Sequence, residues 1–156
     1  MPSSAYPFKK IKFQIDVAIN LNNIGDLYNK RGSPDKALKY YNESLEINRK
    51  IGYRINLKRT LNGLGIAYGQ MGKPNDALKY FEESLDINKE FGDKKAIAGT
   101  LSNIGFVYER SKNYDEALKY YKQAVEIFRD INNATEIEMI LEKINRVEKR
   151  QEKLKI

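Results

Sequence analysis

The fold is decided by a thirty-residue stretch that occurs three times in the sequence. Residues 21–50 read LNNIGDLYNKRGSPDKALKYYNESLEINRK, residues 61–90 read LNGLGIAYGQMGKPNDALKYFEESLDINKE, and residues 101–130 read LSNIGFVYERSKNYDEALKYYKQAVEIFRD. A fixed spacing of this size is typical of stacked repeat proteins, in which each unit is one supersecondary motif. The sequence therefore predicts three equivalent units, each forty residues from the next.

Within these units, the same or a similar residue recurs at nine positions. The columns are Leu21, Leu61 and Leu101; Ile24, Leu64 and Ile104; Gly25, Gly65 and Gly105; Tyr28, Tyr68 and Tyr108; Ala37, Ala77 and Ala117; Leu38, Leu78 and Leu118; Tyr40, Tyr80 and Tyr120; Tyr41, Phe81 and Tyr121; and Ile47, Ile87 and Ile127. Apolar residues three and four positions apart predict two amphipathic helices per unit. We interpret the tyrosine and isoleucine columns as core, and the glycine column as a close approach of neighbouring helices, because a mid-helix glycine otherwise costs about 1 kcal/mol.

The ends of the helices are also readable. Gly32 and Gly72 are expected to end first helices, with Ser33 as the cap of the second helix that follows, and Asn113 is expected to be the cap in the third unit. The second helices are expected to close at the residues Gly52, Gly92 and Asn132, which tolerate positive φ. The predicted helices lie near residues 16–31, 34–51, 54–71, 74–91, 94–111, 114–131 and 134–154.

The units and their flanking segments predict the organisation of the chain. The boundaries are an N-terminal partial helix or cap at residues 1–15, repeats at 16–53, 54–93 and 94–133, and a C-terminal capping helix at 134–156. The first segment is either a shortened cap or a cut edge. The last helix begins like a first helix and then turns polar, as a solvating cap does, although its narrow apolar stripe also fits a self-association seam.

Composition excludes most catalytic chemistry. The chain has 156 residues with neither cysteine nor histidine, which removes disulfides, thiolate nucleophiles and imidazole bases. Neighbouring acids such as Glu82 and Glu83 do not face one another on a helix and read as solubilising charge. We expect no enzyme activity, no cofactor and no metal. The absence of a long apolar run and of a basic-then-apolar start predicts a cytoplasmic protein without a membrane segment.

The net charge of +7 raises the question of nucleic-acid binding. The excess lies mostly at the two ends, because residues 1–13 carry three lysines and no acid, and residues 138–156 carry six basic residues against four acids. Residues 14–137 are close to balance. This distribution makes nucleic acid an unlikely partner.

The run from Leu21 to Gly25, followed by Tyr28 and by residues 37–41, resembles the tetratricopeptide repeat. The resemblance covers about residues 17–137 and is closest to the long variety found in kinesin light chains and in adaptors of G-protein regulators. It implies an all-α fold, a right-handed α-solenoid of three antiparallel helix pairs plus a terminal capping helix. It also implies that the first helices line a concave groove for a peptide or helix of a partner.

The family geometry, carried onto this sequence, gives candidate groove residues on the first helices. In the long repeats an asparagine two residues before the glycine grips the peptide backbone; Asn23 and Asn103 match it, whereas Gly63 does not. A carboxylate clamp is not expected, because Asn22 stands at its first lysine position. The candidate peptide-binding residues are Asn22, Asn23, Asp26, Asn29, Lys30, Arg59, Asn62, Ile66, Gln70, Ser102, Asn103, Phe106, Glu109 and Arg110.

The sequence thus predicts a scaffold that binds a protein or peptide partner whose identity it does not give. The alternatives are a self-associating module that forms homo-oligomers through its solenoid ends and, less favoured, a nucleic-acid-binding protein. Exposed apolar anchors at Ile66 and Phe106 with polar flanks suit an extended or helical segment.

Overall fold

The computed structural model describes residues 5–155. The first four residues of the predicted segment 1–15 and the last residue of the predicted segment 134–156 lie outside the described residues. Within that range the chain is helical and forms two compact units, one that ends at Tyr80 and one that begins at Phe81, with the boundary inside the fourth helix. The helices are α1 (Ala5–Lys30), α2 (Pro34–Ile51), α3 (Arg54–Gln70), α4 (Pro74–Glu90), α5 (Lys94–Arg110), α6 (Tyr114–Asp130) and α7 (Ala134–Lys153). In the first unit α1 packs against α2 and α3, and in the second α6 packs against α5 and α7.

Helix α1 differs from the sequence prediction at its start. A helix start near residue 16 was expected from the repeat register, but α1 runs without interruption from Ala5 to Lys30. The physical reason is local: residues 8–24 contain neither glycine nor proline, so nothing ends the helix there. The other six helices start at the predicted residue and end at it or one residue earlier.

The turns adopt the left-handed backbone that the sequence predicts. Gly32 has φ of 67° and Gly52 has φ of 69°, and the same conformation recurs at Gly72 and Gly92. In the third unit Lys112 takes this conformation with φ of 59°, immediately before the predicted cap Asn113. These residues end each helix tightly enough for the next helix to fold back on it.

The caps are only partly as predicted. Ser33 and Asn113 hold the N-cap positions of α2 and α6, but neither side chain makes a capping hydrogen bond. The side chains that do cap are Asp93, which accepts from the backbone N–H of Ala96 at 3.1 Å, and Asn133 at the start of α7. The predicted N-cap position of Ser33 is therefore confirmed, and Pro34 in the first turn, rather than a side-chain hydrogen bond, fixes the start of α2.

Replacing Asp93 by alanine is expected to destabilise the protein by about 1 kcal/mol, because the first turn of α5 loses its side-chain acceptor. Ser33→Ala is the matched control and should change the free energy of unfolding by a few tenths of a kcal/mol at most. Urea unfolding followed by circular dichroism measures both. Equal losses in the two variants would contradict the assignment.

Large aromatic side chains fill the space that the glycine column leaves. A Cβ atom on Gly25 would lie 2.7 Å from the ring of Tyr41, and one on Gly105 would lie 2.8 Å from the ring of Tyr121. Both tyrosines are buried, so the predicted close approach is confirmed at these two glycines. Other tyrosine columns are half-buried and stack pairwise with ring centroids 5.5 Å apart, as Tyr28 does on Tyr40.

Candidate functional site

A buried network of polar side chains holds α1, α2 and α3 together in the first unit. Asn22 donates to Asn56 at 2.8 Å and accepts from Thr60 at 2.9 Å, and Asn48 joins both Ser44 and Thr60. Asn22 is fully buried. Its predicted place on the groove surface is therefore wrong, because its side-chain amide is hydrogen-bonded to Asn56 and Thr60 of the neighbouring repeat.

Beside this network lies a cleft of about 190 Å³ between α1 and α3. Five of the predicted residues line it together with one residue of α2; the lining is Asp26, Asn29, Lys30, Tyr41, Ile66 and Gln70. Lys30 and Gln70 are exposed, whereas Ile66 is half-buried and supplies an apolar wall. The sequence placed these residues at equivalent positions of two repeats. The structure shows that they line the same cleft, some from α1 and some from α3.

The floor of the cleft is built on Tyr41. Its hydroxyl donates to Asp26 Oδ1 at 2.7 Å, and Asn29 Nδ2 donates to the tyrosine oxygen at 3.1 Å and to the carbonyl of Gly63 at 3.0 Å. Burial and the hydrogen bond to Asp26 raise the pKa of Tyr41, so the hydroxyl stays protonated and keeps donating. A side chain at position 63 has no room beside this ring, which explains why glycine stands there although the resemblance to the long repeats predicts asparagine.

The rim of the cleft is an ion-paired cluster. Arg59 of α3 contacts both Asp26 and Asn23 of α1, and its bond to Asn23 Oδ1 is 2.9 Å long. Asn23 and Arg59 are exposed, and Asn62 is half-buried on the same helix as Arg59. This cluster fixes the orientation of α1 against α3 while leaving both its charges accessible.

In the second unit the predicted residue Glu109 lies at the centre of another cluster. Only 4% of Glu109 is exposed, and its carboxylate accepts from the Tyr121 hydroxyl, from two nitrogens of Arg146 at 2.8 Å and from Arg150 at 2.9 Å. Burial alone would raise the pKa of Glu109. The hydrogen bonds from Arg146 and Tyr121 and the nearby positive charges outweigh burial and hold the pKa below its ordinary value.

The remaining candidates of α5 divide into buried and exposed residues. Ser102 is buried and accepts from Lys143 of α7 at 3.2 Å, so Ser102 and Glu109 both face α7 rather than open solvent. Asn103 is half-buried, whereas Phe106 is 41% exposed with the Arg110 guanidinium 5.9 Å from its ring centre. Helix α7 therefore covers Ser102 and Glu109, and their predicted role in binding a peptide stays a prediction.

Comparison with known families decides the identity of this fold. The tetratricopeptide repeat profile matches residues 16–90, and a second profile of the same description matches residues 98–131. The chain belongs to the tetratricopeptide repeat family. This confirms the predicted all-α solenoid class. Because such repeats present extended surfaces for binding, the chain is a protein-interaction scaffold.

Three solved structures show the same fold as this tetratricopeptide repeat protein. Aspartyl phosphate phosphatase F from Bacillus subtilis has a TM-score of 0.84 and 18% identity over 91% of this chain and 37% of its own. A Rap protein complexed with competence and sporulation factor gives 0.82 and 18%, over 90% and 40%. The apo form of RapI gives 0.79 and 25%, over 96% and 57%.

This chain therefore spans between about a third and just over half of the length of those proteins. A search of curated proteins found no match. In the part of this tetratricopeptide repeat protein that the structure describes, none of the helices has the length and apolar character needed to cross a membrane.

Sequence reasoning missed the contribution of α7, which was predicted to be a solvating cap or a self-association seam. Arg146 and Arg150 stand forty residues after Phe106 and Arg110, so they continue the candidate columns of the tetratricopeptide repeats. That register was a usable signal. The replacement of the column glycine by Asn145 and of the column tyrosine by Glu148 hid it, because a polar helix at the end of a solenoid is also typical of a cap.

Proposed function

We propose that the cleft between α1 and α3 captures a segment of a partner protein, with Ile66 as the apolar contact and Lys30 and Gln70 as polar contacts at its edge. The observation that carries the proposal is that five residues selected from the repeat pattern line this one cleft. A small apolar wall with convergent polar groups is the usual composition of a recognition site.

A buried acceptor at the cleft supports this proposal. Asn29 lines the cleft and is 7% exposed, and its Oδ1 finds no hydrogen-bond donor among residues 5–155. Such an oxygen costs about 1–3 kcal/mol when it is left unpaired. Binding that turned this oxygen toward the cleft and supplied a backbone N–H to it would remove this cost, as the carboxamide of an asparagine can both donate and accept.

The relatives support the same kind of partner. One of the similar structures is a Rap protein complexed with competence and sporulation factor, so this fold accommodates a bound factor in another protein. The phosphatase activity named for the Bacillus subtilis protein belongs to a chain of which this one spans 37%, and we do not extend it to this chain. The proposed function is non-catalytic capture.

Selection of a random peptide library on the intact protein tests the proposal. Peptides enriched on the wild type are expected to bind the Ile66→Asp variant at least about tenfold more weakly, because an apolar anchor in a binding pocket contributes about 2 kcal/mol or more. Fluorescence anisotropy with the selected peptides measures the affinities.

The matched control is Asn42→Asp, which adds the same charge to an exposed position of α2 outside the cleft. Circular dichroism establishes that both variants keep their helical content. Selected peptides that bind the Ile66→Asp variant as tightly as the wild type would refute capture at this cleft, as would a selection that enriches no peptide.

A further inference from the structure

A second cleft, of about 430 Å³, runs along the surface of α7 in the second unit. Four of its lining residues are basic, one is an amide and one is an acid; they are Arg146, Lys149, Arg150, Lys153, Asn145 and Glu142. All of them belong to α7, and each has another of the set three or four residues away, so they form one continuous helix face. We call the surface formed by these six residues the basic trough.

The structure holds two of these cations in place. Arg146 and Arg150 both donate to Glu109, whose carboxylate is buried and ionised, so the two guanidinium groups are fixed before any partner arrives. Their side chains remain 44% and 52% exposed. Fixed and partly exposed guanidinium groups bind carboxylates with a smaller loss of side-chain entropy than mobile lysines do.

Positive charge exceeds negative charge among the residues that line the trough. The lining carries four basic residues against the single carboxylate of Glu142. The carboxylate of Glu109 on α5 is already engaged by both arginines. A negatively charged partner would relieve the repulsion among the cations that remain.

We propose that the basic trough of α7 binds an acidic segment of a partner protein. The inference goes beyond the proposed function, because α7 lies outside the matched repeats and its trough shares no residue with the cleft of the first unit.

The aromatic rings of this unit favour a protein segment over a nucleic acid. Single-stranded nucleic acids bind through bases that stack on open aromatic faces. Here Arg110 lies over Phe106, Lys143 lies 5.7 Å from the ring centre of Tyr121, and Tyr108 and Tyr120 stack on each other. Carboxylates need only the exposed charges of the trough.

The test uses the whole chain and a fluorescein-labelled peptide of sequence DEEDFEDEED. The wild type is expected to bind this peptide with an affinity that falls as salt rises, because exposed charges are screened. The Lys149→Glu, Lys153→Glu variant is expected to lose at least about tenfold in affinity, since two attractive contacts become repulsive. Neither lysine takes part in the contacts to Glu109, so folding should be preserved.

The matched control is Lys119→Glu, Lys122→Glu, which makes the same change in net charge on exposed positions of α6 and should keep wild-type affinity. A peptide with lysine in place of every acid, and an oligouridylate of similar charge, complete the comparison. Equal binding of the acidic peptide by both double variants would overturn the proposal, as would tighter binding of the oligouridylate than of the peptide.

Discussion

Gly63→Ala is expected to destabilise the first unit by about 2–3 kcal/mol, although alanine is normally the better helix residue by about 1 kcal/mol. A Cβ at this position would lie 2.8 Å from the hydroxyl oxygen of Tyr41 and closer still to its ring carbons. Tyr41 is 1% exposed, and its hydroxyl is held by Asp26 and Asn29, so the ring cannot move aside without breaking those bonds.

The control for this prediction is Gly99→Ala in α5. Position 99 is also inside a helix, but a Cβ there meets no heavy atom within 4 Å. This substitution should therefore stabilise the protein by about 0.5–1 kcal/mol. Thermal unfolding should lower the Tm of Gly63→Ala by roughly 6 °C and raise that of Gly99→Ala by a few degrees.

A double-mutant cycle shows whether Tyr41 causes the loss. In a Tyr41→Leu background the ring is absent, so adding Gly63→Ala should cost far less than in the wild type. An unchanged cost in that background would mean that contacts other than the tyrosine require glycine at position 63. Gly63→Ala behaving like Gly99→Ala would contradict the close contact itself.

Glu109→Gln is expected to destabilise the second unit by about 2 kcal/mol near neutral pH. The substitution keeps the shape of the side chain but removes the charge that accepts from Arg146, Arg150 and Tyr121. Breaking a buried ion pair costs about 3–5 kcal/mol. The smaller value is expected here because both arginines are about half exposed and water can solvate them after the change.

The loss should depend on pH in a defined direction. The pKa of Glu109 in the folded protein lies below its ordinary value of 4.5, so the carboxylate stabilises the fold at pH values above that ordinary value. This contribution is lost as the pH falls through the lowered pKa. The free energies of unfolding of wild type and Glu109→Gln should therefore converge in acid, as measured by urea unfolding between about pH 7 and pH 3.

The control is Glu126→Gln, which removes the exposed pair between Glu126 and Arg129 on α6. Exposed pairs contribute about 0–1 kcal/mol, so this variant should differ little from wild type at any pH. A gap between wild type and Glu109→Gln that stayed constant down to pH values where carboxylates are protonated would show that shape, not charge, stabilises the cluster.

The sequence by itself determined the helices and their turns. The signals for these elements are local. They are the glycines with positive φ, the contact of Gly25 with Tyr41 inside one repeat, and the recurrence of the same residue types every forty residues. Local signals of this kind depend on backbone sterics and side-chain volume, which residue type encodes directly. The start of α1 is the exception: the repeat register predicts it near residue 16, but residues 8–24 contain no glycine or proline to interrupt the helix there.

Only the tertiary structure decided which polar residues face solvent. Asn22 and Asn23 are neighbours of the same type, yet Asn22 is fully buried against Asn56 and Thr60 whereas Asn23 is exposed beside Arg59. Each partner lies more than thirty residues away, in the next repeat. The type of a side chain does not say whether a neighbouring helix will cover it, because burial is a property of the packed pair.

For the same reason, the sequence prediction for α7 differs from its role in the structure. Its sequence showed a polar helix with a narrow apolar stripe, which fits a solvating cap. Packing then buried Ile140, Ile144 and Val147 and set Arg146 and Arg150 against Glu109. The sequence determined that this helix is charged; the fold determined that its cations are fixed and gathered on one face, since that depends on a carboxylate of α5 reaching them across the helix interface.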